Sequence, residues 1–463
     1  MFKSVALIAC IILFVFGGRL GLYGQAMDSL ASPKTYSTEI QPILDQRCVS
    51  CHAGENPAKV LRLDSWEHLM AGGRHGEAVI PFDSKNSLFI ELVSRANAPA
   101  HPAEEEADTL TAAEIQTISE WIDAGARSDA GEAPFADSDE FVYVCNEGAA
   151  MVSVIDVKAG VVARTVDFQA LGFSDRAMPH HVAVEADGSF WYVSLIGDNK
   201  VLKFDRANNL VGQLDFERPG LLALDPSTDF LYVGRSMKAV NPPQRVGIVM
   251  RSTMEFEEVD VFIPRPHALT LGRNGNYLYT SSMSANQVVT MDTRTLEADL
   301  LNIPGPQHAL VQFAVSVDGL TLVAGGHVSN KFLFFDLADP ARPVLSDSLN
   351  LSAMPWDPVY SRDGTLIYLA TKGSNSVSVY NAAEHSLAAT ISGRGLAQPH
   401  ATAISLDGTK LFVSNNNMDG SYTPRYDLGD NALVGTLAII DTESHRILKV
   451  IEVEENATGI GAR

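Results

Sequence analysis

Short hydrophobic strands alternate with polar turns along residues 140–463. An Asx-Gly pair recurs with its glycine at positions 188, 275, 319, 364 and 408, so the last four glycines lie 44 or 45 residues apart. An aromatic or aliphatic run follows each pair, for example FWYVS after Gly188 and YLYTS after Gly275. A period near 44 residues with four short strands per repeat is typical of a β-propeller. The Asx-Gly pair predicts a tight hairpin between the first two strands of each repeat.

The two ends of this region predict how the propeller closes. The first repeat, FVYVCNEGAAMVSVIDVKAGVVARTVDF, lacks its innermost strand, and the chain ends in ATGIGAR, a strand without a repeat of its own. Joining the two completes a ring of seven blades and leaves no open sheet edge. The sequence therefore predicts an all-β, seven-bladed propeller over residues 140–463, closed by the C-terminal strand.

Before residue 140, the spacing of hydrophobic residues is that of helices. Ile40, Ile43 and Leu44 share one helical face, and NSLFIELVSR and TAAEIQTISEWIDAGARS read as further helices. The last of these opens with a capping box from Thr111 to Glu114. The pattern predicts a small all-α domain over residues 36–128, joined to the propeller by an acidic, Pro- and Gly-containing linker over 129–139.

The segment DQRCVSCH carries the chemistry of the helical domain. Cys48 and Cys51 lie one helical turn apart, so they can form thioethers with two haem vinyl groups while His52 binds the iron. A reduced dithiol or half of a zinc site is the alternative. The sequence holds no second C-x-x-C to complete a zinc site and no thioredoxin-like βαβ unit. We therefore predict one covalent haem c.

Three segments, IQPILDQRCVSCH, LRLDSWEHLMAGGRHGEAVIPFDSKNSLFIELV and LTAAEIQTISEWIDAGA, together resemble the planctomycete-type cytochrome c domain over most of residues 38–127. The resemblance implies a distal methionine ligand from a Met-Pro-Pro segment. This chain has ANAPAHPAEEEADTLT there, without methionine, and His101 stands nearest the missing residue. We predict ligation by His52 and His101; a five-coordinate iron with His101 in a solvated loop is the alternative.

Histidines recur at one position of the propeller repeat. His180, His267 and His400 each follow a proline and stand eight residues before the Asx-Gly glycine, and Trp356 takes this position in the sixth blade. His181 is adjacent to His180, and His308 lies three residues upstream of its own blade's equivalent position. Such residues would ring the mouth of the central channel. They predict a ligand site there, with copper or a second haem as cofactor; purely structural histidines are the alternative.

The repeats resemble the YVTN family of propellers, a resemblance that implies fold but little function. A haem domain before a propeller also resembles the haem-d nitrite reductases, but those have eight blades. Nitrous oxide reductases have seven, together with a cupredoxin domain that this chain lacks. Two functions stay open: electron transfer through haem c with the propeller as a docking or substrate platform, or a periplasmic reductase with a second redox centre at the propeller mouth. Whether the protein is an enzyme is therefore undecided by the sequence.

The N-terminal segment and the net charge indicate where the protein is located and which partners it can bind. Residues 1–26 read as a secretory signal peptide, so we expect a periplasmic or extracellular protein. A membrane association would require this segment to stay uncleaved. The formal net charge of −22 disfavours nucleic acid and favours a basic periplasmic redox partner.

Overall fold

The computed structural model describes residues 34–74, 76–94, 109–239, 244–351 and 353–463. Residues 34–463 form one compact unit. In these ranges no helix has the length and apolar character needed to cross a membrane. The predicted signal peptide and His101 lie outside the described residues, so both stay predictions.

The N-terminal part of this unit is helical. It contains a π-helical turn (Tyr36–Ile40), α1 (Gln41–Arg47), a 3-10 turn (Ala58–Val60), α2 (Trp66–Ala71), α3 (Leu88–Ser94) and α4 (Ala112–Asp123). The predicted capping box forms: Glu114 N donates to Thr111 Oγ1 at 3.2 Å, and Thr111 N donates to Glu114 Oε2 at 2.7 Å. Ile40, Leu44 and Trp121 lie in one buried apolar cluster, which joins α1 to α4. The all-α prediction for this domain is confirmed.

The rest of the chain forms seven four-stranded antiparallel sheets. The strands are β1 (Phe141–Asn146), β2 (Met151–Asp156), β3 (Val161–Asp167), β4 (Pro179–Val184), β5 (Phe190–Leu195), β6 (Lys200–Asp205), β7 (Leu210–Asp215), β8 (Pro219–Leu224), β9 (Phe230–Arg235), β10 (Arg245–Met250), β11 (Phe256–Asp260), β12 (Pro266–Leu271), β13 (Tyr277–Ser282), β14 (Gln287–Asp292), β15 (Ala298–Asn302), β16 (Leu310–Val315), β17 (Thr321–Gly326), β18 (Lys331–Asp336), β19 (Val344–Asn350), β20 (Pro355–Tyr360), β21 (Leu366–Thr371), β22 (Ser376–Asn381), β23 (Ser386–Ser392), β24 (Pro399–Ile404), β25 (Lys410–Asn415), β26 (Gly435–Asp441), β27 (Ile447–Val453) and β28 (Ala457–Ala462).

The C-terminal strand closes the ring as predicted. Strand β28 pairs with β1, with Val142 opposite Ala462 and Val144 opposite Ile460, so blade 1 consists of β28, β1, β2 and β3. Blades 2 to 7 follow in chain order from β4–β7 to β24–β27. The innermost strands β28, β4, β8, β12, β16, β20 and β24 contact one another around the central axis. The seven-bladed propeller is confirmed.

The two faces of the propeller are defined by the innermost strands. On the histidine face these strands begin, at residues such as Pro179, Pro266 and Pro399. On the turn face they end in the Asx-Gly hairpins. Gly408 has a φ of +76° there, a left-handed conformation that glycine adopts without steric cost.

The helical domain packs along the outer edges of blades 1 and 7. Ile80 lies in one apolar cluster with Val162 of β3 and Ile451 of β27. Glu77 Oε2 accepts a hydrogen bond of 2.8 Å from Val162 N, an amide on the outermost strand of blade 1. The Arg164 guanidinium lies 3.5 Å from the centroid of the Phe82 ring. Segment 77–86 of the helical domain therefore covers a sheet edge that would otherwise be exposed.

The predicted linker, residues 129–139, contacts both parts of the unit. Ser37 N donates to Asp129 Oδ1 at 2.9 Å, and Phe135 packs against the apolar cluster of the helical domain. Ser138 Oγ donates to Asp156 Oδ2 of the first blade. This segment is therefore attached at several points along its length.

Candidate haem and axial sites

The C-x-x-C-H motif forms a turn directly after α1. Cys48 N donates to Leu44 O at 2.8 Å, and His52 N donates to Cys48 O at 3.0 Å. Cys48 is half-buried and Cys51 is exposed, and neither forms a disulfide. Burial raises the pKa of the Cys48 thiol to about 11. The helical course of residues 44–52 brings both thiols and the imidazole to one end of α1.

The His52 ring is oriented as an iron ligand requires. His52 is 7% exposed, and its Nδ1 lies 3.1 Å from the carbonyl oxygen of Leu61. A carbonyl only accepts, so Nδ1 carries the proton and Nε2 carries the lone pair that binds iron. A backbone carbonyl on the second nitrogen is a usual partner of metal-ligating histidines. Cys48, Cys51 and His52 therefore fit a covalent haem c.

Two other residues of the helical domain, Met70 and His68, make structural contacts. Met70 is 5% exposed within the apolar cluster. His68 Nδ1 lies 2.9 Å from Asp64 Oδ1, four residues earlier. The distal ligand of the iron, predicted as His101, lies outside the described residues.

Four aromatic rings from four blades meet at the centre of the histidine face. The ring centroid of His180 on β4 lies 5.9 Å from that of His267 on β12 and 6.0 Å from that of His400 on β24. Trp356 on β20 lies 5.4 Å from His400. Together with His181, these residues line an axial cavity of about 260 Å³. The structure thus brings together five of the six propeller residues that the sequence singled out.

The imidazoles of this cavity differ in their hydrogen bonds. His267 Nδ1 donates to Val311 O at 3.1 Å, and His180 Nδ1 lies 3.4 Å from Glu147 Oε2. His181 Nδ1 accepts from the backbone N–H of Leu222 at 3.3 Å. Across the described residues no hydrogen-bond partner is found for the buried Nδ1 of His400.

Burial keeps His181, His267 and His400 neutral. It lowers the pKa of His181 to about 3 and that of His267 to about 4, and it lowers the pKa of His400 well below its usual value. Neighbouring histidines lower these pKa values further, because a second positive charge in the cluster is unfavourable. These three residues therefore present neutral hydrogen-bonding rings to the cavity at physiological pH.

His308 is separate from this cluster. It does not line the axial cavity, and it is 2% exposed. Its Nδ1 lies 2.9 Å from Ser329 Oγ and its Nε2 3.1 Å from Pro304 O. Nδ1 thus joins the connection between blades 4 and 5 to the β17–β18 turn, and Nε2 bonds within that connection, which is the structural alternative that the sequence left open.

The site also contains residues that the sequence did not indicate. Lys372 Nζ lies 4.4 Å from the Trp356 ring centroid and donates to Asn416 Oδ1 at 2.6 Å. The His327 ring centroid lies 5.0 Å from that of Trp356. Neither residue lines the axial cavity itself; both pack on its lining residue Trp356. They begin the turns between second and third strands, eight residues after Gly364 and Gly319, a repeat position that the prediction from the sequence did not include.

Two carboxyl groups complete the surroundings. Asp357 lines the cavity and accepts from Thr402 N at 2.7 Å, and burial raises its pKa to about 7. Glu147 pairs with Lys238 Nζ at 2.7 Å at the rim. Burial alone would raise the pKa of Glu147, but hydrogen bonds and charges from His180 and Lys238 outweigh it and lower the pKa to about 2.

A second cavity continues the channel toward the turn face. It has a volume of about 370 Å³ and shares Ala314, Val359 and Thr402 with the axial cavity, so the two meet along the axis. Arg273 and Arg362 lie at its outer end. The channel is therefore lined by imidazoles at one end and by guanidinium groups at the other.

No metal-binding arrangement accompanies the imidazoles. Within the part of the chain that the structure describes, no group of three or more His, Cys, Asp or Glu side chains is placed to hold a metal ion. The predicted copper thus has no three-ligand set among these residues, and a second haem, which one histidine could hold, stays a prediction.

Comparisons with known proteins agree with the two-part architecture. Residues 48–101 match the family model described as Planctomycete cytochrome C, which implies a covalent haem c at Cys48 and Cys51. A functionally unknown protein from Desulfotomaculum acetoxidans DSM 771 is similar in structure, with a TM-score of 0.55, 17% identity, and coverage of 70% of this chain and 98% of the other. Hydrazine synthase from Kuenenia stuttgartiensis aligns with a TM-score of 0.47 at 21% identity, over 57% of this chain and 77% of the other. No curated protein matches the chain. The chain thus carries a planctomycete-type cytochrome c domain and a seven-bladed propeller, as the sequence predicted.

Proposed function

We propose that this protein is an exported c-type cytochrome that transfers electrons, with the propeller as a rigid platform for the haem domain and its partner. The observation that carries the proposal is the motif after α1, where two thiols free of disulfides stand beside a histidine whose Nδ1 is bonded to Leu61 O. When bound, a haem c supplies a one-electron redox couple.

The protein's own residues set the conditions for that couple. Leu61 O fixes the tautomer of His52, so that Nε2 would be the atom that holds the iron of a bound haem. The apolar cluster of the helical domain packs against partly buried Cys48, so it would limit solvent access to a haem attached there. Limited solvent access is one of the factors that tune a haem's reduction potential.

Covalent attachment tests the proposal most directly. The full chain, matured in a host with haem-attachment machinery, is expected to retain one haem per chain on a denaturing gel and to show a reducible c-type spectrum. Cys51→Ala is expected to lose most of the covalent haem, because one thioether is removed. Cys145→Ala is the matched control, since Cys145 is a fully buried strand thiol outside the motif. A wild-type chain without covalent haem would overturn the proposal.

The partner and the location are part of the same proposal. A net charge of −22 favours a basic electron-transfer protein, because opposite charge accelerates the encounter. We expect the rate of electron exchange with a basic soluble cytochrome to fall as ionic strength rises from about 0.01 to 0.15 M. Sequencing the N-terminus of the mature protein tests export; cleavage after residue 26 is expected.

A second candidate is a periplasmic oxidoreductase that acts on a small molecule in the axial cavity. The observation that favours it is the cavity itself, which joins neutral imidazoles to a carboxyl group whose pKa is near 7, a value suited to proton transfer. Elemental analysis separates the candidates with respect to a second metal. One iron and no copper per chain supports the electron carrier, and a second metal in stoichiometric amount supports the reductase.

A further inference from the structure

The ammonium group of Lys372 is poorly compensated. It lies beside the face of Trp356, and among the described residues its one hydrogen-bond partner is the amide oxygen of Asn416. Glu147 is engaged with Lys238 and His180, and within the described residues no ion pair joins Lys372 to a carboxylate. Removing an ammonium from water is costly, and burial lowers the pKa of Lys372 to about 8 despite the attraction of Glu147 and Asp419.

Unsatisfied imidazole nitrogens lie around the same indole. His400 and His327 flank Trp356 with centroid distances of 5.4 and 5.0 Å. Across the described ranges, the Nδ1 atoms of both rings are buried without a hydrogen-bond partner. Buried polar atoms in native proteins nearly always have a partner, so a group that bonds to these rings is expected.

We propose that a small oxyanion, such as a carboxylate of a few non-hydrogen atoms, binds at the histidine-face end of the axial cavity, between the lining residue His400 and Lys372, which packs on the lining residue Trp356 without lining the cavity itself. One oxygen would accept from Lys372 Nζ and another from the Nδ1–H of His400, with Trp356 as the apolar wall. This goes beyond electron transfer by the haem domain, because it assigns a ligand class to the propeller.

The cavity suits such a ligand in size and access. Its volume of about 260 Å³ holds a small organic acid but not a haem. The cavity on the turn face joins it along the axis and carries Arg273 and Arg362 at its outer end. On a chain with a net charge of −22, these two guanidinium groups provide a local attraction for an anion at the channel entrance.

The chemistry of the lining favours an anion over a metal cation. The described residues offer no three-ligand arrangement for a metal, and the ammonium of Lys372 lies against Trp356 and acts on His400. Asp357 lines the same cavity, but its pKa, raised by burial to about 7, keeps its carboxyl group mostly protonated below neutral pH. An oxyanion would neutralise this charge and satisfy an orphaned donor at once, whereas a cation would add to the charge.

Calorimetric titration of the full-length, haem-loaded protein with acetate tests the site. Acetamide serves as the neutral ligand of similar shape. We expect one acetate site per chain, no heat of binding with acetamide, and a loss of about tenfold or more in affinity for Lys372→Met, as for a lost hydrogen bond to a charged group. Lys372→Arg is expected to retain most of the affinity. Lys158→Met, at an exposed hairpin of blade 1, is the control and is expected to bind like wild type.

The outcomes separate this proposal from the electron-transfer proposal. Haem content and the reduced spectrum are measured on the same samples, and acetate in the propeller is expected to leave the Soret band unchanged. The anion site is overturned if wild type binds no acetate, if acetamide binds equally, or if Lys372→Met and Lys158→Met bind alike. None of these results depends on whether the haem is attached or reducible.

Discussion

A half-buried carboxyl group lies where the helical domain meets the propeller. Glu454 follows β27 of blade 7, and the charges of Asp83, Lys85 and Glu91 in the helical domain act on it, as does Asp430 of the propeller. Burial is the main cause of its raised pKa, followed by the negative charges of Glu91 and Asp83; the result is a pKa of about 7. The exposed neighbour Glu455 has no such environment.

The raised pKa makes the stability of this interface depend on pH. The folded protein binds the Glu454 proton more tightly than the unfolded chain, whose carboxyl has the ordinary value of 4.5. The corresponding stability is fully present below pH 4.5 and is lost as pH rises through 7. A rise from 4.5 to about 7 corresponds to about 3 kcal/mol at pH 8.5, and to less than about 1 kcal/mol at pH 5.

Glu454→Gln should remove this penalty, because the amide resembles the protonated carboxyl and does not ionise. Scanning calorimetry at pH 5 and pH 8.5 is the assay. We expect the variant to unfold at nearly the wild-type temperature at pH 5 and at a clearly higher temperature at pH 8.5. Glu455→Gln is the matched control and should follow wild type at both values. Equal unfolding temperatures of Glu454→Gln and wild type at pH 8.5 would refute the reasoning.

Three further predictions concern the interface and the axial site. Ile80→Ala should destabilise the docked helical domain by about 2–4 kcal/mol in calorimetry, because a buried side chain leaves a cavity, whereas Val60→Ala, at a 53% exposed position, should have little effect. His308→Phe should lower the unfolding free energy by about 1–3 kcal/mol in urea titrations, because Ser329 and Pro304 lose a buried partner, while acetate affinity stays unchanged. Acetate affinity should fall between pH 6 and pH 9, because Asp357 ionises near pH 7 and Lys372 loses its proton near pH 8. Asp357→Asn should remove the part of this decrease that occurs near pH 7. A wild-type acetate affinity that does not depend on pH would contradict this prediction.

The fold could be predicted because each blade repeats the same local chemistry. The Asx-Gly turns mark where innermost strands end, and a fixed offset of eight residues from the glycine marks where they begin. Innermost strands surround an axis by geometry, so the offset that holds His180, His267 and His400 implied that these side chains meet. The closing strand was equally predictable, since β1 without an inner neighbour would expose a sheet edge.

Part of the site follows the same period, although the prediction from the sequence did not use it. Lys372 and His327 each stand eight residues after an Asx-Gly glycine, directly after the second strand of their blade, so the repeat carries them to equivalent places on the histidine face. His308 shows the opposite failure: it is close in sequence to the repeated position, but a loop bonded at both ring nitrogens directs it away from the cavity lining. The docking of the helical domain through Ile80 and Glu77 could not be predicted from the sequence. Glu77 binds a backbone amide on an outer strand, and a backbone amide is not marked by any particular residue type.

The helical domain and the axial cavity are connected through the same two blades. The outer strands β3 and β27 run from the turn face to the histidine face, and the helical domain contacts them from Val162, near one end, to Glu454, just beyond the other. The turn that follows Glu454 bonds to the hairpin of blade 1: Glu147 N donates to Asn456 O at 3.0 Å. The side chain of Glu147 in turn holds His180 and Lys238 at the cavity rim. Residues 454–456 therefore lie between the docked helical domain and the rim of the axial cavity. A shift of these residues would change contacts on both sides. The linker enters blade 1 from the turn face, yet the domain extends along the flank to the histidine face, which brings it to the same side of the propeller as the imidazoles.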